Sequence, residues 1–200
     1  MLKHVKKRIL RKHRKFKGLP ITIISNNCFA GMWYKEYNQK YDSPTIGLFI
    51  RVRDFLNFIN CLEEYCKSDL IWDVKTEETY PVALISNNGV SVMVHFMHYS
   101  DAQQAENAWK RRCKRIHQER LVSIFIQTPQ MTKEDIYEYD RVELKGQRKI
   151  LVLDNKWKDN YELTNTYVIY TDAFHWEEPF SWDFGKVERS VRKAKCFILD

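Results

Sequence analysis

The chain has 200 residues, 44% of them hydrophobic and 14% aromatic, so it is long enough to bury the core of one domain. Six glycines and five prolines are too few for a collagen-like or largely disordered protein. The sequence has no apolar run long enough to span a membrane and no secretory signal pattern at its N-terminus, so we expect a cytoplasmic protein.

The formal net charge of +7 is concentrated in residues 1–18, which contain nine lysines and arginines and no acidic residue. The rest of the chain has a small net negative charge, so we expect no nucleic-acid partner. Leu2, Val5, Ile9 and Phe16 recur at nearly helical spacing. This pattern predicts a basic amphipathic arm that binds an anionic membrane surface at the inner face; a loosely docked, solvated leader is the alternative.

Residues 19–200 are predicted to form one domain in which strands alternate with helices. The predicted segments are a buried strand at 19–24, polar turns at 25–31 and 41–45, an apolar run at 46–50, a helix at 52–67, a hairpin from 81–85 and 90–96, a helix from 100 to about 117, a strand at 121–126, a helix at 132–139, and strands at 149–153 and 166–171. The alternation predicts an α/β fold, a Rossmann-like three-layer sandwich with a mostly parallel sheet and one β-hairpin.

Local signals mark several ends of these segments. Asn88-Gly89 lies between two β-like runs, which is a strong hairpin signal. Ser100, with Gln103 three residues later, predicts a capping box, and Thr132 predicts the start of the short helix. The C-terminal segment, 174–200, is rich in aromatic residues, including Phe180; such rings either stack on sugars or anchor a docking tail.

Ligands bind beyond the carboxyl ends of parallel strands, so the turn after the first strand is a candidate site. Asn26, Asn27 and Gly31 are predicted to bind a phosphate or carboxylate if a helix starts there. The same helix would lower the pKa of Cys28 and favour a nucleophilic thiolate. There are two alternatives. The asparagines and the glycine are ordinary turn residues, and Cys28 is buried as a small hydrophobic residue.

Two histidines and a tyrosine end the second hairpin strand. His98 and Tyr99 lie at its carboxyl end, so His98 is the preferred general base; His95 is more typical of a core histidine and is kept as an alternative base. On an extended strand His95 and His98 face opposite sides, and no third metal ligand has recognisable spacing. The five cysteines contain no C-x-x-C pair. We therefore expect no metal and no cofactor.

Cations crowd the end of the helix predicted over 100–117. Arg112 and Arg115 lie one turn apart and could hold a pyrophosphate, whereas a solvated face that compensates the helix dipole is the alternative. Ser43 and Thr45, in the second polar turn, are further candidates for substrate binding.

Several motifs in order over roughly residues 20–155 resemble the bacterial DUF1919 family. They are Ser25-Asn26-Asn27-Cys28-Phe29-Ala30-Gly31, Tyr41-x-Ser43-Pro44-Thr45-Ile46, Tyr80-Pro81-Val82, His95-Phe96-x-His98-Tyr99 and Ala105-x₃-Trp109-x-Arg111-Arg112-x₂-Arg115-Ile116. The resemblance implies a step in making exopolysaccharide or capsule, because many members bear those labels, and it supplies no catalytic residues.

Three functions remain open from the sequence. The first is a transferase that acts on an activated sugar or lipid-linked glycan without a bound metal, with His98 as base and the loop and arginines holding phosphates. The second is an acyl or related group transferase with Cys28 as nucleophile. The third is a non-catalytic glycan-binding assembly protein. The first depends on convergence of the asparagine-rich turn with Arg112 and Arg115 in one pocket.

Overall fold

The computed structural model describes residues 19–144, 148–158, 161–177 and 181–193. The predicted arm at 1–18 and the side chain of Phe180 lie outside the described residues. Within the described ranges, no helix combines the length and apolar character that crossing a membrane requires.

The described residues form strands and helices in a mixed order. These elements are β1 (Thr22–Ser25), α1 (Phe29–Glu36), β2 (Phe49–Ile50), α2 (Val52–Asn60), α3 (Leu62–Lys67), β3 (Val82–Asn87), β4 (Val90–His95), α4 (Ala102–Cys113), β5 (Leu121–Ile126), α5 (Lys133–Arg141), β6 (Arg148–Asp154), β7 (Thr166–Thr171), β8 (Phe174–His175), β9 (Ser181–Trp182) and α6 (Phe184–Lys193).

The central feature is a four-stranded sheet in the order β1-β5-β6-β7, in which every neighbouring pair is parallel. Alternate residues of its strands point to opposite faces. On β5, Phe125 joins the core packed by α2, α4 and α5, whereas Ile124 joins the core packed by α1 and α6. Both faces are therefore buried, which explains the continuous apolar runs of the strands.

The predicted hairpin is confirmed and belongs to a separate sheet. Strands β3 and β4 pair antiparallel, and Asn88 and Gly89 have φ of 48° and 81°, as a type I′ turn requires. Strand β2 pairs with the other side of β4, giving the order β2-β4-β3. The α/β class with a mainly parallel sheet is thus confirmed, with the hairpin outside that sheet.

Two predicted helices need correction. The helix predicted over 52–67 is two helices, because Cys61 leaves helical geometry with φ −131° and ψ 42°. The helix predicted from 100 to 117 ends at Cys113 and is capped by Asp101, whose carboxylate accepts from the Gln104 N–H at 2.7 Å. Ser100 instead donates to that carboxylate. The predicted Thr132 cap is confirmed as a capping box.

Candidate active site

The turn between β1 and α1 is held by two asparagine side chains. The Asn26 amide donates to the Ile126 carbonyl at 2.9 Å and accepts from the Ile126 N–H at 3.0 Å, which extends the contact between β1 and β5. Asn27 Oδ1 accepts from the Phe29 N–H at 3.0 Å, at the start of α1. Both residues are buried, and their side chains make these hydrogen bonds. Their role in the structure is therefore to hold the turn in its conformation.

Ser43 and Thr45 have a similar structural position. Thr45 Oγ1 accepts from the Ser25 N–H at 3.1 Å, and Ser43 Oγ accepts from the Thr45 N–H at 3.2 Å. Both residues are fully buried. Their hydroxyls therefore fasten the second polar turn to the end of β1 rather than facing solvent.

The chain after this turn positions the loop that follows β4. The Gly47 carbonyl accepts from the His98 N–H at 3.1 Å, and Gly47 has φ of +74°. A Cβ at Gly47 would lie 3.3 Å from Tyr99 Cε2 and 3.4 Å from His98 Cβ. Glycine is therefore required here both for its backbone conformation and for the close approach of the loop.

Cys28 and His98 meet across 70 residues of chain. The Cys28 Sγ lies 3.2 Å from His98 Nε2, within hydrogen-bond distance for a thiol and an imidazole. Cys28 is the N-cap residue of α1, and His98 is exposed in the loop after β4. The pair has the arrangement of a nucleophile and its base, with access from solvent.

Burial raises the pKa of the Cys28 thiol, which is opposite to the lowering expected from the sequence. A raised pKa keeps an isolated thiol protonated at neutral pH. The adjacent imidazole and the N-terminus of α1 both favour the thiolate. Activation of Cys28 therefore depends on transfer of its proton to His98.

A backbone donor lies next to the thiol. The first two N–H groups of α1 are satisfied, because Phe29 donates to Asn27 Oδ1 and Ala30 donates to Ser25 Oγ at 3.1 Å. The N–H of Gly31 has no acceptor within the described part of the chain. Gly31 and Cys28 line the same open cavity of about 410 Å³. A free N–H at a helix start can stabilise an oxyanion.

Arg112 reaches this cavity, whereas Arg115 is not among the residues that line it. The Arg112 guanidinium is buried, donates from Nη1 to the Ile46 carbonyl at 3.1 Å and hydrogen-bonds to the Tyr99 hydroxyl. It also lies 5.4 Å from the Tyr41 ring centre, a cation–π distance. Of the residues predicted to converge, Gly31 and Arg112 line this cavity, whereas Asn26, Asn27 and Arg115 are not among the residues that line it.

His95 occupies a different environment. Its side chain is 2% exposed, and neither ring nitrogen has a hydrogen-bond partner among the described residues. The ring lies against Phe49 and Tyr80. Burial lowers the pKa of His95, and the charge of Arg51 acts in the same direction. His95 is thus a neutral core histidine away from Cys28.

Five cavity residues were not among the predicted site residues, namely Met32, Lys35, Tyr41, Ile46 and Gly47. Lys35 and Tyr41 line the cavity beside Cys28. The signal for Lys35 was available, because Cys28, Gly31 and Lys35 follow at helical spacing and share one face of α1. Tyr41 offered no such signal, because its position depends on the fold of the second polar turn.

Comparison with known proteins identifies the family. The family model described as a domain of unknown function, DUF1919, matches residues 2–178. A protein of Haemophilus influenzae that bears the name "uncharacterized protein" is 29% identical over 133 residues. The matched stretch covers 66% of this chain and 62% of that relative, so the chain spans less than two thirds of the relative's length. The resemblance seen in the motifs is confirmed: the chain belongs to the DUF1919 family.

Proposed function

We propose that this protein is a cysteine-dependent group transferase in which Cys28 is the nucleophile and His98 is its base. The observation that carries the proposal is the 3.2 Å contact between Cys28 Sγ and His98 Nε2 at the mouth of an open cavity. Because burial disfavours the free thiolate of Cys28, the neighbouring imidazole supplies the activation that the thiol itself lacks.

The simplest reaction is transfer of an acyl group from an activated donor. His98 takes the proton from Cys28, and the thiolate attacks the donor carbonyl, so that a C–S bond forms while the negative charge moves to the carbonyl oxygen. The Gly31 N–H stabilises that oxyanion. The leaving group departs with the proton returned by His98, and the thioester remains on Cys28.

The second half of the reaction repeats these roles. An acceptor hydroxyl gives its proton to His98 and attacks the thioester carbonyl. The C–S bond then breaks, and the Cys28 thiolate recovers the proton. One histidine therefore serves as base and as acid in turn, and no redox partner is needed.

Charge around the cavity favours a donor or acceptor with a phosphate or carboxylate group. Arg112 is fixed in the wall by its bonds to Ile46 and Tyr99, and Lys35 is exposed at the rim. A sugar hydroxyl of a surface glycan, presented at the inner membrane face, is the acceptor that the family resemblance favours. The two cores on opposite faces of the parallel sheet favour a Rossmann-like three-layer arrangement. In such an arrangement the site lies beyond the carboxyl end of β1.

The sugar transferase predicted from the sequence is the second candidate, and Arg112 in the cavity wall is the observation that favours it. It receives second place because His98 Nε2 lies against the Cys28 thiol, whereas a base for a sugar hydroxyl needs that nitrogen free. A glycan-binding protein without catalysis would form no covalent adduct, so a search for the adduct distinguishes it from the transferase.

The test is capture of the acyl-enzyme by intact-protein mass spectrometry after incubation with a small aryl thioester. We expect a single acyl adduct on Cys28 in the wild type and none there in Cys28→Ser. His98→Asn should slow acylation by about 100-fold or more, which is the usual contribution of a general base. Cys61→Ser is the matched control and should behave as wild type. Equal acylation in wild type and Cys28→Ser would overturn the proposal.

A further inference from the structure

The guanidinium of Arg112 is buried in the wall of the cavity that Cys28 and His98 line. Arg112 is 8% exposed and has no ion-pair partner among the residues that the structure describes. Arginines at such burial are normally paired with an anion, because a buried charge without a partner loses its hydration. Within the described ranges, no aspartate or glutamate lines this cavity. A ligand in the cavity is therefore the remaining source of a counter-ion.

The protein engages one nitrogen of this guanidinium. Nη1 donates to the Ile46 carbonyl at 3.1 Å and to the Tyr99 hydroxyl, which uses both of its protons. Nε and Nη2 have no hydrogen-bond partner in the described part of the chain, and they are not among the unpartnered side-chain atoms that are closed to solvent. The Nε/Nη2 edge of Arg112 is therefore both unoccupied and accessible.

Two aromatic rings fix the position of the guanidinium. Its central carbon lies 5.4 Å from the Tyr41 ring centre and 5.9 Å from the Tyr99 ring centre. Both tyrosines line the same cavity as Arg112. The Tyr99 hydroxyl donates to the Ile46 carbonyl at 2.8 Å, so its proton is already used. The Nε/Nη2 edge is thus the pair of donors that Arg112 and Tyr99 leave for a ligand.

The chemistry of this edge favours a carboxylate. Nε–H and one Nη2–H are parallel and match the two oxygens of a carboxylate in a bidentate pair. A phosphate has a third oxygen, for which Tyr99 has no proton to give. Lys35, the other cation of the cavity, is exposed at the rim. One carboxylate therefore both neutralises the buried Arg112 charge and satisfies its two accessible donors.

We infer that the acyl group transferred by Cys28 ends in a carboxylate, which Arg112 binds through Nε and Nη2. The inference rests on the acyl transfer proposed above, and the bonds that form and break are the ones described there. The cavity volume of about 410 Å³ accommodates a short dicarboxylic chain. The thioester carbonyl then lies at Cys28 and the carboxylate at the buried guanidinium. Arg112 is thereby the residue that determines specificity for the acyl donor.

Pairs of matched thioesters test this inference. N-acetylcysteamine thioesters of succinate, glutarate and adipate are each compared with the methyl ketone of equal chain length, in which a methyl group replaces one carboxylate oxygen. We expect at least one carboxylate to acylate Cys28 at least about tenfold faster than its ketone, because only the carboxylate pairs with the buried charge. Intact-protein mass spectrometry measures both rates.

Substitutions on α4 assign the preference to Arg112. Arg112→Gln should lower the ratio of the two rates at least about tenfold, and Arg112→Lys should lower it less, because it keeps the charge but loses the bidentate edge. Arg111→Gln removes an exposed charge one residue away, outside the cavity, and should keep the ratio within about twofold of wild type. A variant that folds poorly loses both rates together, whereas loss of the carboxylate contact changes their ratio.

The outcomes separate this inference from the proposed reaction. Acylation of Cys28 at equal rates by both members of every pair, or a preference that survives in Arg112→Gln, would overturn the inference and leave the reaction standing. Failure of every thioester to acylate Cys28 would count against the reaction. In that case isothermal titration with the free dicarboxylates decides the carboxylate site: binding to wild type should weaken at least about tenfold in Arg112→Gln. Binding that is absent, or equal in the two proteins, would remove the site as well.

Discussion

Single side chains in this protein gain their roles from partners far away in sequence. The side chain of Asn26, a predicted phosphate ligand, is hydrogen-bonded to the backbone of Ile126, 100 residues later in the sequence. Cys28 contacts His98, which is 70 residues away. The residue types at the candidate site could be predicted, since Cys28 and His98 both follow strands. It could not be predicted that the Asn26 side chain would bond to the backbone of β5, because the order of strands in a parallel sheet cannot be deduced from a local sequence pattern.

His95 gives the clearest test of a buried unpaired group. His95→Leu removes two ring nitrogens that have no hydrogen-bond partner, so at pH 7 we expect the free energy of unfolding to be unchanged or greater by about 1 kcal/mol. Chemical denaturation followed by circular dichroism measures it. A loss of more than about 2 kcal/mol would contradict the assignment of His95 as an unpaired core residue.

The same substitution should change the pH dependence of stability. Burial, aided by Arg51 and opposed by Glu78, lowers the pKa of His95 from the ordinary value of 6.5. The unfolded chain therefore binds the proton first as the pH falls, so the wild type loses stability below about pH 6.5. His95→Leu should lack this component. The same acid slope in variant and wild type would show that other groups cause it.

Helices and loops were predicted best where the signal is local. The Asn88-Gly89 turn and the Thr132 capping box were both confirmed, because each depends on residues a few positions apart. The break at Cys61 was missed, because the apolar spacing continues through it while the backbone does not. The run at 46–50 contains only a two-residue strand, since the positive φ of Gly47 interrupts extended geometry.

Gly47→Ala tests whether this loop positions the base. The substitution forces a side chain into left-handed backbone at a cost of about 1–2 kcal/mol and places a methyl group against His98 and Tyr99. We expect a modest loss of stability and a much larger, at least tenfold, fall in the acylation rate of Cys28. Gly89→Ala is the matched control, because it also has positive φ but has open space around its Cβ. Equal acylation rates in the two variants would contradict the positioning role.

The molecule as a whole is organised around one parallel sheet with a core on each face. The sequence predicted this class because strands and helices alternate, but it did not predict the separate β2-β4-β3 sheet, whose assembly needs a strand of two residues. The C-terminal helix α6 packs with α1, the helix that carries Cys28. The contact includes a buried carboxylate, Glu188, which is 4% exposed.

We expect this contact to couple α6 to the stability of the domain. The Tyr37 hydroxyl donates to Glu188 Oε1 at 2.6 Å. Tyr37→Phe should lower the free energy of unfolding by about 1–3 kcal/mol, because a buried carboxylate loses a donor. A double-mutant cycle with Glu188→Gln, measured by urea denaturation, should give a coupling energy of at least about 0.5 kcal/mol. Strictly additive effects would contradict the coupling.

The pH dependence of Cys28 alkylation by iodoacetamide, followed by peptide mass spectrometry, tests most directly whether His98 activates the thiol. In the wild type we expect reaction at neutral pH, because the proton of Cys28 moves to His98. In His98→Asn the raised pKa of the buried thiol should dominate, so that reaction becomes comparable only above about pH 9. Superimposable profiles for wild type and His98→Asn would contradict the account.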